Sequence, residues 1–312
     1  MATPWTGDDQ EWWDWYMTLA HDADIAPAPL LPGPRSATGA VASDREVTEA
    51  LAAPYALPDE AVAFFGRHGF VRLPHVLAPA VVAALARCAD RLLTAAHGTD
   101  NPGRFLALEQ LWPREPLMRS VALSRRLGDI AARLLGVDAL RLYHDNILSK
   151  EPLCGRTPWH RDSDHYPLDS TAVVTSWIPL GEIPDAMGPL ACLSRREAAR
   201  ALSGLPASPH RRSYDELVAA RLHEAAARPV ATPFAVGEVS FHASDCFHTA
   251  GPNRTTAPRR VLSCTYYEDG SRIVDEPTAL SGAWTDFVPG VRPGEVAASA
   301  LNPVVGTRAP AS

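Results

Sequence analysis

The segment Thr157-Pro-Trp-His160-Arg-Asp162 carries the pattern around which the rest of the chain is organised. Side chains at positions i and i+2 of a strand point to the same face, so a strand here would place the His160 imidazole beside the Asp162 carboxylate. Two histidines and one carboxylate form the facial triad that binds iron(II) and leaves coordination positions open. A His-x-Asp pair alone also occurs by chance in solvated turns, so the interpretation needs a third ligand.

His248 is the candidate for that third ligand, because it ends a strand-like run just before the turn Gly251-Pro-Asn. His242 competes for the same role; its alternative interpretation is a histidine that lines the core beside the site. Arg259 and Arg260 then open another predicted strand. An arginine that faces inward is costly unless it meets an anion, and a guanidinium suits a carboxylate. One of the two arginines is expected to be an ordinary surface cation.

The secondary-structure pattern changes from helical to strand-like along the chain. Apolar spacing predicts helices over residues 61–67, 77–96 and 117–135. Short β-rich runs separated by Pro and Gly predict strands, which cover residues 70–73, 140–147, 171–178, 189–193, 239–241 and 260–267. Helices followed by many short strands favour an α+β, mainly β protein in which the strands close into a jelly roll.

The expected domain organisation has three parts. Residues 1–56 form a Trp-rich arm and a Pro/Ala-rich linker, residues 57–303 form the main domain, and residues 304–312 form a tail. Tryptophans are costly to leave in water, so those of the arm are expected to dock on the main body or on a second subunit, which makes a homodimer possible. Residues 194–228 form a helical insert whose arginines either clamp an anionic substrate or, as we favour, lie on a solvated face.

Composition excludes several classes of protein. A length of 312 residues, 46% hydrophobic residues and 21% charged residues describe a globular chain rather than a disordered or collagen-like one. The net charge of -7 argues against binding to nucleic acid or to an anionic membrane, and no window is apolar enough for a membrane helix. The five cysteines are odd in number and widely spaced, which favours free thiols. The N-terminus lacks the features of a signal peptide, so we expect a cytoplasmic protein.

The order His160-x-Asp162, His248, Arg259 resembles that of the phytanoyl-CoA dioxygenase-like (PhyH-like) family of Fe(II)/2-oxoglutarate-dependent oxygenases. The resemblance extends over about residues 57–303 and rests on further motifs, which are Phe64-Phe-Gly-Arg-His-Gly-Phe70, Tyr143-His-Asp-Asn-Ile-Leu-Ser-Lys150, Ser176-Trp-Ile-Pro-Leu180, Met187-Gly-Pro-Leu190 and Leu301-Asn-Pro303. Residues 1–56 have no counterpart in the family. The resemblance implies a double-stranded β-helix, a cupin-like jelly roll flanked by N-terminal helices, with residues 194–228 as a lid.

The resemblance also implies roles for individual residues. Its catalytic centre would be iron(II) held by His160, Asp162 and His248, and Arg259 would pair with the distal carboxylate of 2-oxoglutarate. Three further residues take positions near the cosubstrate, namely Asn146, Trp177 and Thr157. Lys150 could reach the site or lie solvated at a strand end, and His165 is expected on the substrate side.

The implied function is a dioxygenase, an oxidoreductase of secondary metabolism, that uses O2 and 2-oxoglutarate to hydroxylate a small molecule and releases succinate and CO2. Halogenating relatives replace the carboxylate ligand by a small residue, so Asp162 favours hydroxylation over halogenation. Desaturation, epoxidation and cyclisation use the same ligands and stay open. Two alternatives belong to other classes: a jelly-roll metalloenzyme that does not use 2-oxoglutarate, and a non-catalytic jelly-roll binding protein.

Overall fold

A computed structural model of the protein describes residues 10–20, 29–34, 39–205 and 210–307. Within these ranges the helices are α1 (Gln10–Met17), α2 (Asp44–Ala52), α3 (Asp59–His68), α4 (Pro79–His97), α5 (Pro116–Ala122), α6 (Arg125–Leu135), α7 (Arg195–Ala201) and α8 (Arg212–Glu224). The strands are β1 (Phe70–Leu73), β2 (Phe105–Glu109), β3 (Ala139–Lys150), β4 (Val173–Pro179), β5 (Leu190–Cys192), β6 (Val230–Ala231), β7 (Val239–Ala243), β8 (His248–Ala250), β9 (Arg259–Glu268) and β10 (Val304–Thr307).

The helical predictions hold with one exception. The helix predicted to end before Gly69 is α3, and Gly69 takes the left-handed conformation with φ of 83°, which glycine adopts without strain. The single helix predicted over residues 117–135 is wrong, because the chain forms α5 and α6 instead. Leu123 leaves the helical conformation, and the Ser124 hydroxyl accepts a hydrogen bond from the Leu127 amide as the N-cap of α6. A serine at this position competes with helix continuation.

Two antiparallel sheets form the β-structure and position the site. The larger sheet has the strand order β1-β7-β4-β9-β3-β10, with β2 paired to β3, and the smaller sheet has the order β6-β5-β8. β3 pairs with β9 along almost its whole length, from Leu140 opposite Glu268 to Lys150 opposite Arg259. Helices α2 to α6 cover the outer face of the larger sheet through the main hydrophobic core. The architecture is the predicted cupin-like jelly roll of the α+β, mainly β class, with a helical layer on one side.

The Trp-rich helix α1 docks on the main body, as predicted. Trp12 and Tyr16 are buried in a cluster with Tyr143, Tyr267 and Phe287. The Pro-rich segment after α1 lies partly outside the described residues, but Leu31 forms an isolated parallel bridge with Thr255. Both ends of the described arm therefore contact the jelly roll.

The insert between β5 and β6 is helical, as predicted, and consists of α7 and α8 with residues 206–209 outside the described part. Most of its arginines are exposed, as we favoured, but its acidic residue Asp215 is not. Asp215 of α8 is 1% exposed, forms an ion pair with Arg156 and accepts a hydrogen bond from the Trp159 amide at 2.7 Å. The Arg195 side chain pairs with Asp245 at 3.1 Å. The insert is thus fastened to the segment that carries His160.

Candidate active site

His160, Asp162 and His248 converge where the two sheets face each other. One ligand atom from each side chain lies within 4.8 Å of the others. The two histidines exchange both backbone hydrogen bonds, with the His160 amide donating to the His248 carbonyl at 3.2 Å and the reverse bond at 3.0 Å. Their imidazole centroids are 4.1 Å apart. Backbone pairing in an isolated antiparallel bridge therefore sets the positions of these rings.

The prediction that Asp162 lies on a strand with His160 is wrong in its detail. His160 lies in the isolated bridge, Arg161 is still extended, and Asp162 already begins a 3-10 turn over Asp162–Asp164. The carboxylate faces the histidines because the chain turns inward after the bridge. The two residues come together as predicted, although strand alternation is not the reason.

Backbone carbonyls fix the orientation of both imidazoles. His160 Nδ1 donates to the Pro158 carbonyl at 2.8 Å, and His248 Nδ1 donates to the Cys246 carbonyl at 3.0 Å. A neutral imidazole that donates from Nδ1 carries its lone pair on Nε2. Both Nε2 atoms face the Asp162 carboxylate, at 3.8 Å and 3.6 Å from Oδ1. The three donor atoms are therefore presented to one point, as a transition metal requires.

The second oxygen of Asp162 is held by two other side chains. The Thr175 hydroxyl donates to Oδ2 at 2.8 Å, and His242 Nε2 lies 3.3 Å from the same oxygen. Oδ1 is thus the oxygen that faces the histidines, and Oδ2 is the oxygen that is anchored. His242 lies beside the site and contacts the carboxylate from behind, which agrees with its alternative interpretation as a buried neighbour.

Burial sets the protonation states that metal binding needs. Burial lowers the pKa of His160, and burial together with the neighbouring imidazoles lowers the pKa of His248 well below its usual range. Burial alone would raise the pKa of Asp162, but the imidazoles of His248 and His242 hold that pKa well below its ordinary value. At neutral pH the site therefore offers two neutral imidazoles and one carboxylate. This donor set fits iron(II).

Arg259 is a buried cation with no carboxylate beside it among the described residues. Its side chain is 2% exposed and Nη1 donates to the Gly188 carbonyl at 2.9 Å, while Nε has no hydrogen-bond partner in the described ranges. The guanidinium lies over the Trp177 ring at 5.4 Å, and burial lowers the pKa of Arg259 to about 10. Arg260 points the other way and forms an ion pair with Asp90. Arg259 is thus the inward-facing arginine of the pair, and its unmet donor is suited to an anion.

One cavity joins the candidate metal site to Arg259. Its volume is about 890 Å³ including its open mouth. The residues to which the resemblance gave a metal or cosubstrate role all line it, namely Asn146, Thr157, His160, Asp162, Trp177, His248 and Arg259. Asn146 Oδ1 accepts a hydrogen bond from Ser263 at 2.5 Å. Lys150 does not line the cavity, because it is fully buried and Nζ donates to the carbonyls of Gly155, Ala250 and Gly251. It is neither a site residue nor a solvated one.

Sequence reasoning missed a connected group of polar residues that lines the same cavity. A chain of close polar contacts runs from the buried Glu109 to Asp162. Glu109 Oε2 lies 3.2 Å from His144 Nδ1, and His144 Nε2 lies 3.2 Å from the Tyr166 hydroxyl. The contacts then continue from Tyr166 to Thr265 at 3.2 Å, from Thr265 to Thr175 at 3.0 Å and from Thr175 to Asp162 at 2.8 Å. Strand alternation was the available signal, since His144 and Asn146 share a face of β3.

The substrate side of the cavity also contains residues that the sequence did not assign to the site. Trp12, Trp13 and Tyr16 of α1 line it together with Phe105. His165 lines it too, as expected for a residue on the substrate side, and His165 Nε2 lies 3.0 Å from His210 Nε2. Burial lowers the pKa of His165 to about 3.

Comparison with solved structures shows which proteins share this architecture. SnoK, a non-haem alpha-ketoglutarate-dependent carbocyclase from nogalamycin biosynthesis, is 25% identical with a TM-score of 0.67, and the match covers 81% of this chain and 99% of that chain. The epimerase SnoN, solved with Fe3+, alpha-ketoglutarate and nogalamycin RO, is 25% identical with a TM-score of 0.65, over 79% of this chain and 98% of that chain. EctD from S. alaskensis with bound iron, at 20% identity, 77% and 87% coverage and a TM-score of 0.59, shares the fold.

Sequence comparisons identify the family. A probable alpha-ketoglutarate-dependent hypophosphite dioxygenase from Stutzerimonas stutzeri is 27% identical over 154 residues, which are 47% of this chain and 51% of that protein. The matched segment thus spans about half the length of this curated relative. The sequence profile of phytanoyl-CoA dioxygenase (PhyH) matches residues 65–261, which is more than half of the chain. The chain therefore belongs to the phytanoyl-CoA dioxygenase (PhyH) family of Fe(II)/2-oxoglutarate-dependent oxygenases.

Proposed function

We propose that this protein is an iron(II)- and 2-oxoglutarate-dependent dioxygenase that oxidises a small molecule, and that residues 57–303 form its catalytic domain. One observation carries the proposal above all others. Two neutral imidazoles, one carboxylate and a buried arginine line a single cavity, and the arginine has no acidic partner among the residues that the structure describes. Burying these groups is costly unless a metal ion binds the histidines and the carboxylate and an anion pairs with the arginine.

Each of these residues then has a distinct task. His160, Asp162 and His248 would hold the iron through Nε2, Oδ1 and Nε2, and Arg259 would bind the distal carboxylate of 2-oxoglutarate. Bound iron and cosubstrate would supply the activation of O2, coupled to conversion of 2-oxoglutarate to succinate and CO2. Trp177 supports the guanidinium at 5.4 Å, and the Thr175 hydroxyl keeps Oδ2 of Asp162 occupied so that Oδ1 stays directed at the metal.

The chain also shields the reacting centre from water. The side chains of His160 and Asp162 retain 16% and 13% of their exposure, and the aromatic side chains of α1 cover the cavity above them. Exclusion of water strengthens the electrostatic contacts at the site and limits side reactions. The cavity is open on one side, and a small-molecule substrate would enter there.

We further propose hydroxylation as the outcome of the reaction. Asp162 occupies the coordination position that a halide would need, which disfavours halogenation. The fold does not impose hydroxylation, since SnoK is described as a carbocyclase and SnoN as an epimerase. The association of both with nogalamycin biosynthesis supports a substrate of the secondary-metabolite type. Mass analysis of the product tests this point, since hydroxylation adds one oxygen atom whereas cyclisation and epimerisation do not.

The two alternative classes explain fewer observations. A metalloenzyme that does not use 2-oxoglutarate has no need for a buried guanidinium beside its metal, and a non-catalytic binding protein has no need for three convergent metal ligands. Arg259 would be a net destabilising residue in either protein.

Anaerobic spectrophotometry of the purified chain tests the proposal directly. Iron(II) followed by 2-oxoglutarate is expected to produce a visible metal-to-ligand charge-transfer band. The band should be absent from His160→Ala, and Arg259→Ala should need more 2-oxoglutarate to produce it. Iron binding without a band in the wild type would contradict the use of 2-oxoglutarate, and absence of iron binding would contradict the metal site.

A further inference from the structure

An aromatic wall stands on the substrate side of the cavity, and most of it lies outside the segment that matches the family. Trp12, Trp13 and Tyr16 of α1 line the cavity, whereas the family match begins at residue 65. Phe105 of β2 completes the wall, with its ring 5.2 Å from that of Trp13. The Tyr16 ring lies edge-on to the His160 ring at 6.1 Å. The wall therefore extends to the immediate neighbourhood of the candidate metal.

Helix α1 is held in this place by specific polar contacts. The Gln10 amide pairs with the backbone of the edge strand β2, donating to the Phe105 carbonyl at 2.6 Å and accepting from the Ala107 amide at 3.3 Å. Asp14 forms an ion pair with Arg104 at 2.7 Å. The Gln10 amide thus makes the two hydrogen bonds that a paired strand would make with β2, and these bonds fix the position and the rotation of the helix. The aromatic wall is thus built into the folded protein.

The wall also contains an unmet hydrogen-bond donor. Trp13 Nε1 is buried and has no hydrogen-bond partner within the part of the chain that the structure describes. An indole N–H can only donate, so its partner has to be an acceptor such as a hydroxyl or carbonyl oxygen. Buried polar atoms are normally paired, and a turn of the indole toward the cavity that Trp13 lines would let this N–H meet an oxygen of a bound molecule. Glu109 and His144 line the same cavity and add further polar character.

We infer that α1 and β2 form a substrate-binding subsite for a planar aromatic ring system that carries an oxygen substituent. The inference rests on the proposed function, since it assigns the substrate class of that same cavity. Flat rings pack against the wall formed by Trp12, Trp13, Tyr16 and Phe105 in stacked or edge-on geometry, and the oxygen would accept from Trp13 Nε1 once the indole turns toward the ligand. A saturated ring of the same size would fit the space but lose the aromatic contacts.

Three small probes separate the contributions to binding. The full-length protein is loaded anaerobically with iron(II) and 2-oxoglutarate, and ligand-observed NMR gives the Kd of 2-naphthol, naphthalene and decahydro-2-naphthol. 2-Naphthol should bind about tenfold more tightly than its saturated analogue, because two aromatic contacts are made instead of none. It should bind about threefold more tightly than naphthalene, because one hydrogen bond is added. Equal affinities for the three probes would overturn the inference.

A matched pair of variants locates the subsite. Trp13→Leu should reduce the preference for 2-naphthol over the saturated analogue to less than about threefold. Trp15→Leu is the control, since Trp15 belongs to the same helix and packs on His210 but does not line the cavity. An unchanged preference in Trp13→Leu, or an equal loss in both variants, would contradict the assignment. Circular dichroism establishes that both variants are folded, and Trp12→Leu repeats the test at a second position.

Failure of the inference can be distinguished from failure of the proposed function. The Kd of 2-oxoglutarate is measured in the same samples by calorimetry, and it depends on Arg259 rather than on α1. A chain that binds 2-oxoglutarate but shows no aromatic preference keeps the proposed function and loses the subsite. A chain that binds no 2-oxoglutarate loses the proposed function, whatever the naphthol series shows.

Discussion

Replacement of Arg259 by methionine should have opposite effects on ligand binding and on the stability of the ligand-free protein. The side chain is fully buried, with Trp177 under the guanidinium and no carboxylate close by among the described residues. In the ligand-free protein the buried charge lowers the stability of the folded state. In the complex it is the partner of the cosubstrate. Methionine keeps the length of the side chain and removes the charge, so Arg259→Met separates the two roles.

The burial cost follows from the pKa of the guanidinium. Burial lowers the pKa of Arg259 from 12.5 to about 10. At about 1.4 kcal/mol per unit, this amounts to roughly 3 kcal/mol of destabilisation. The group is charged in both folded and unfolded states below pH 10, so the full cost is present at neutral pH and is relieved only between about pH 10 and pH 12.5. Loss of the hydrogen bond to the Gly188 carbonyl offsets about 1–3 kcal/mol of this gain. The ligand-free variant should therefore be as stable as the wild type or up to about 2 kcal/mol more stable.

The affinity for 2-oxoglutarate should change far more than the stability of the ligand-free protein does. Removing one partner of a buried, hydrogen-bonded charge pair costs about 2–5 kcal/mol, which is a loss of about 30-fold to several thousand-fold in Kd. A ligand at about 100 times its Kd stabilises the folded state by about 2.7 kcal/mol. The wild-type Tm should therefore rise by on the order of 5 °C at such a concentration, whereas the Tm of Arg259→Met should rise by no more than about 1 °C.

Calorimetric titration and thermal unfolding in the presence of iron(II), with and without 2-oxoglutarate, measure both effects. Arg260→Met is the matched control, because Arg260 is adjacent in sequence but pairs with Asp90 on the opposite face. This control should keep the wild-type Kd for 2-oxoglutarate. A Kd for Arg259→Met within threefold of the wild type would refute the cosubstrate role. Loss of several kcal/mol of stability in the ligand-free variant would refute the burial argument.

Three further predictions concern the surroundings of the site. Thr175→Val should weaken metal binding by about 10- to 100-fold with little change in Tm, because the Asp162 carboxylate loses the hydrogen bond that holds Oδ2. Competition with a chelator measures the metal affinity, and an unchanged affinity would contradict the anchoring role of Thr175. Gly188→Ala should destabilise the protein, since its φ is 72° and a Cβ would clash with the Gly251 carbonyl oxygen. It should also weaken 2-oxoglutarate binding in calorimetry, because the Gly188 carbonyl accepts a hydrogen bond from Arg259; a wild-type Tm would contradict the clash. The thiols of the folded protein should react slowly with a disulfide reagent at pH 8 and rapidly after unfolding. All five cysteines are buried and free, and burial raises the pKa of Cys88 to about 11. Fast reaction of the folded protein would contradict the burial of these thiols.

The parts of the fold and site that sequence reasoning anticipated are those with a local signal. β-Rich composition between Pro and Gly turns located β3, β4 and β9 to within a few residues, and Gly69 marked the end of α3. The arginine after the Pro258 turn was recognised because an inward-facing charge has few explanations. Each of these features depends on neighbours close in sequence, where propensity and spacing are informative.

The features that sequence reasoning missed depend on long-range contacts. Glu109, His144 and Tyr166 come from β2, from β3 and from the loop after the metal-binding turn, and only the pairing of β2 with β3 brings the first two together. The burial of Asp215 depends likewise on Arg156, which is distant in the chain. The break between α5 and α6 was locally encoded by Ser124, but the apolar spacing on both sides of it concealed the cap.

The histidines and the carboxylate of the candidate metal site are positioned by different means. This difference decides which of the three side chains the neighbouring residues can reorient. His160 and His248 are placed by the reciprocal backbone bonds of the isolated bridge, and their rings are oriented by the carbonyls of Pro158 and Cys246. None of these contacts requires the third ligand, so both imidazoles are preorganised before any metal arrives. Asp162 instead lies in a short turn and depends on the side chains of its neighbours for its orientation. The carboxylate is therefore the member of the triad whose direction other residues of the cavity can influence, and the contacts from Thr175 back to Glu109 connect it to the wall where the substrate is proposed to bind.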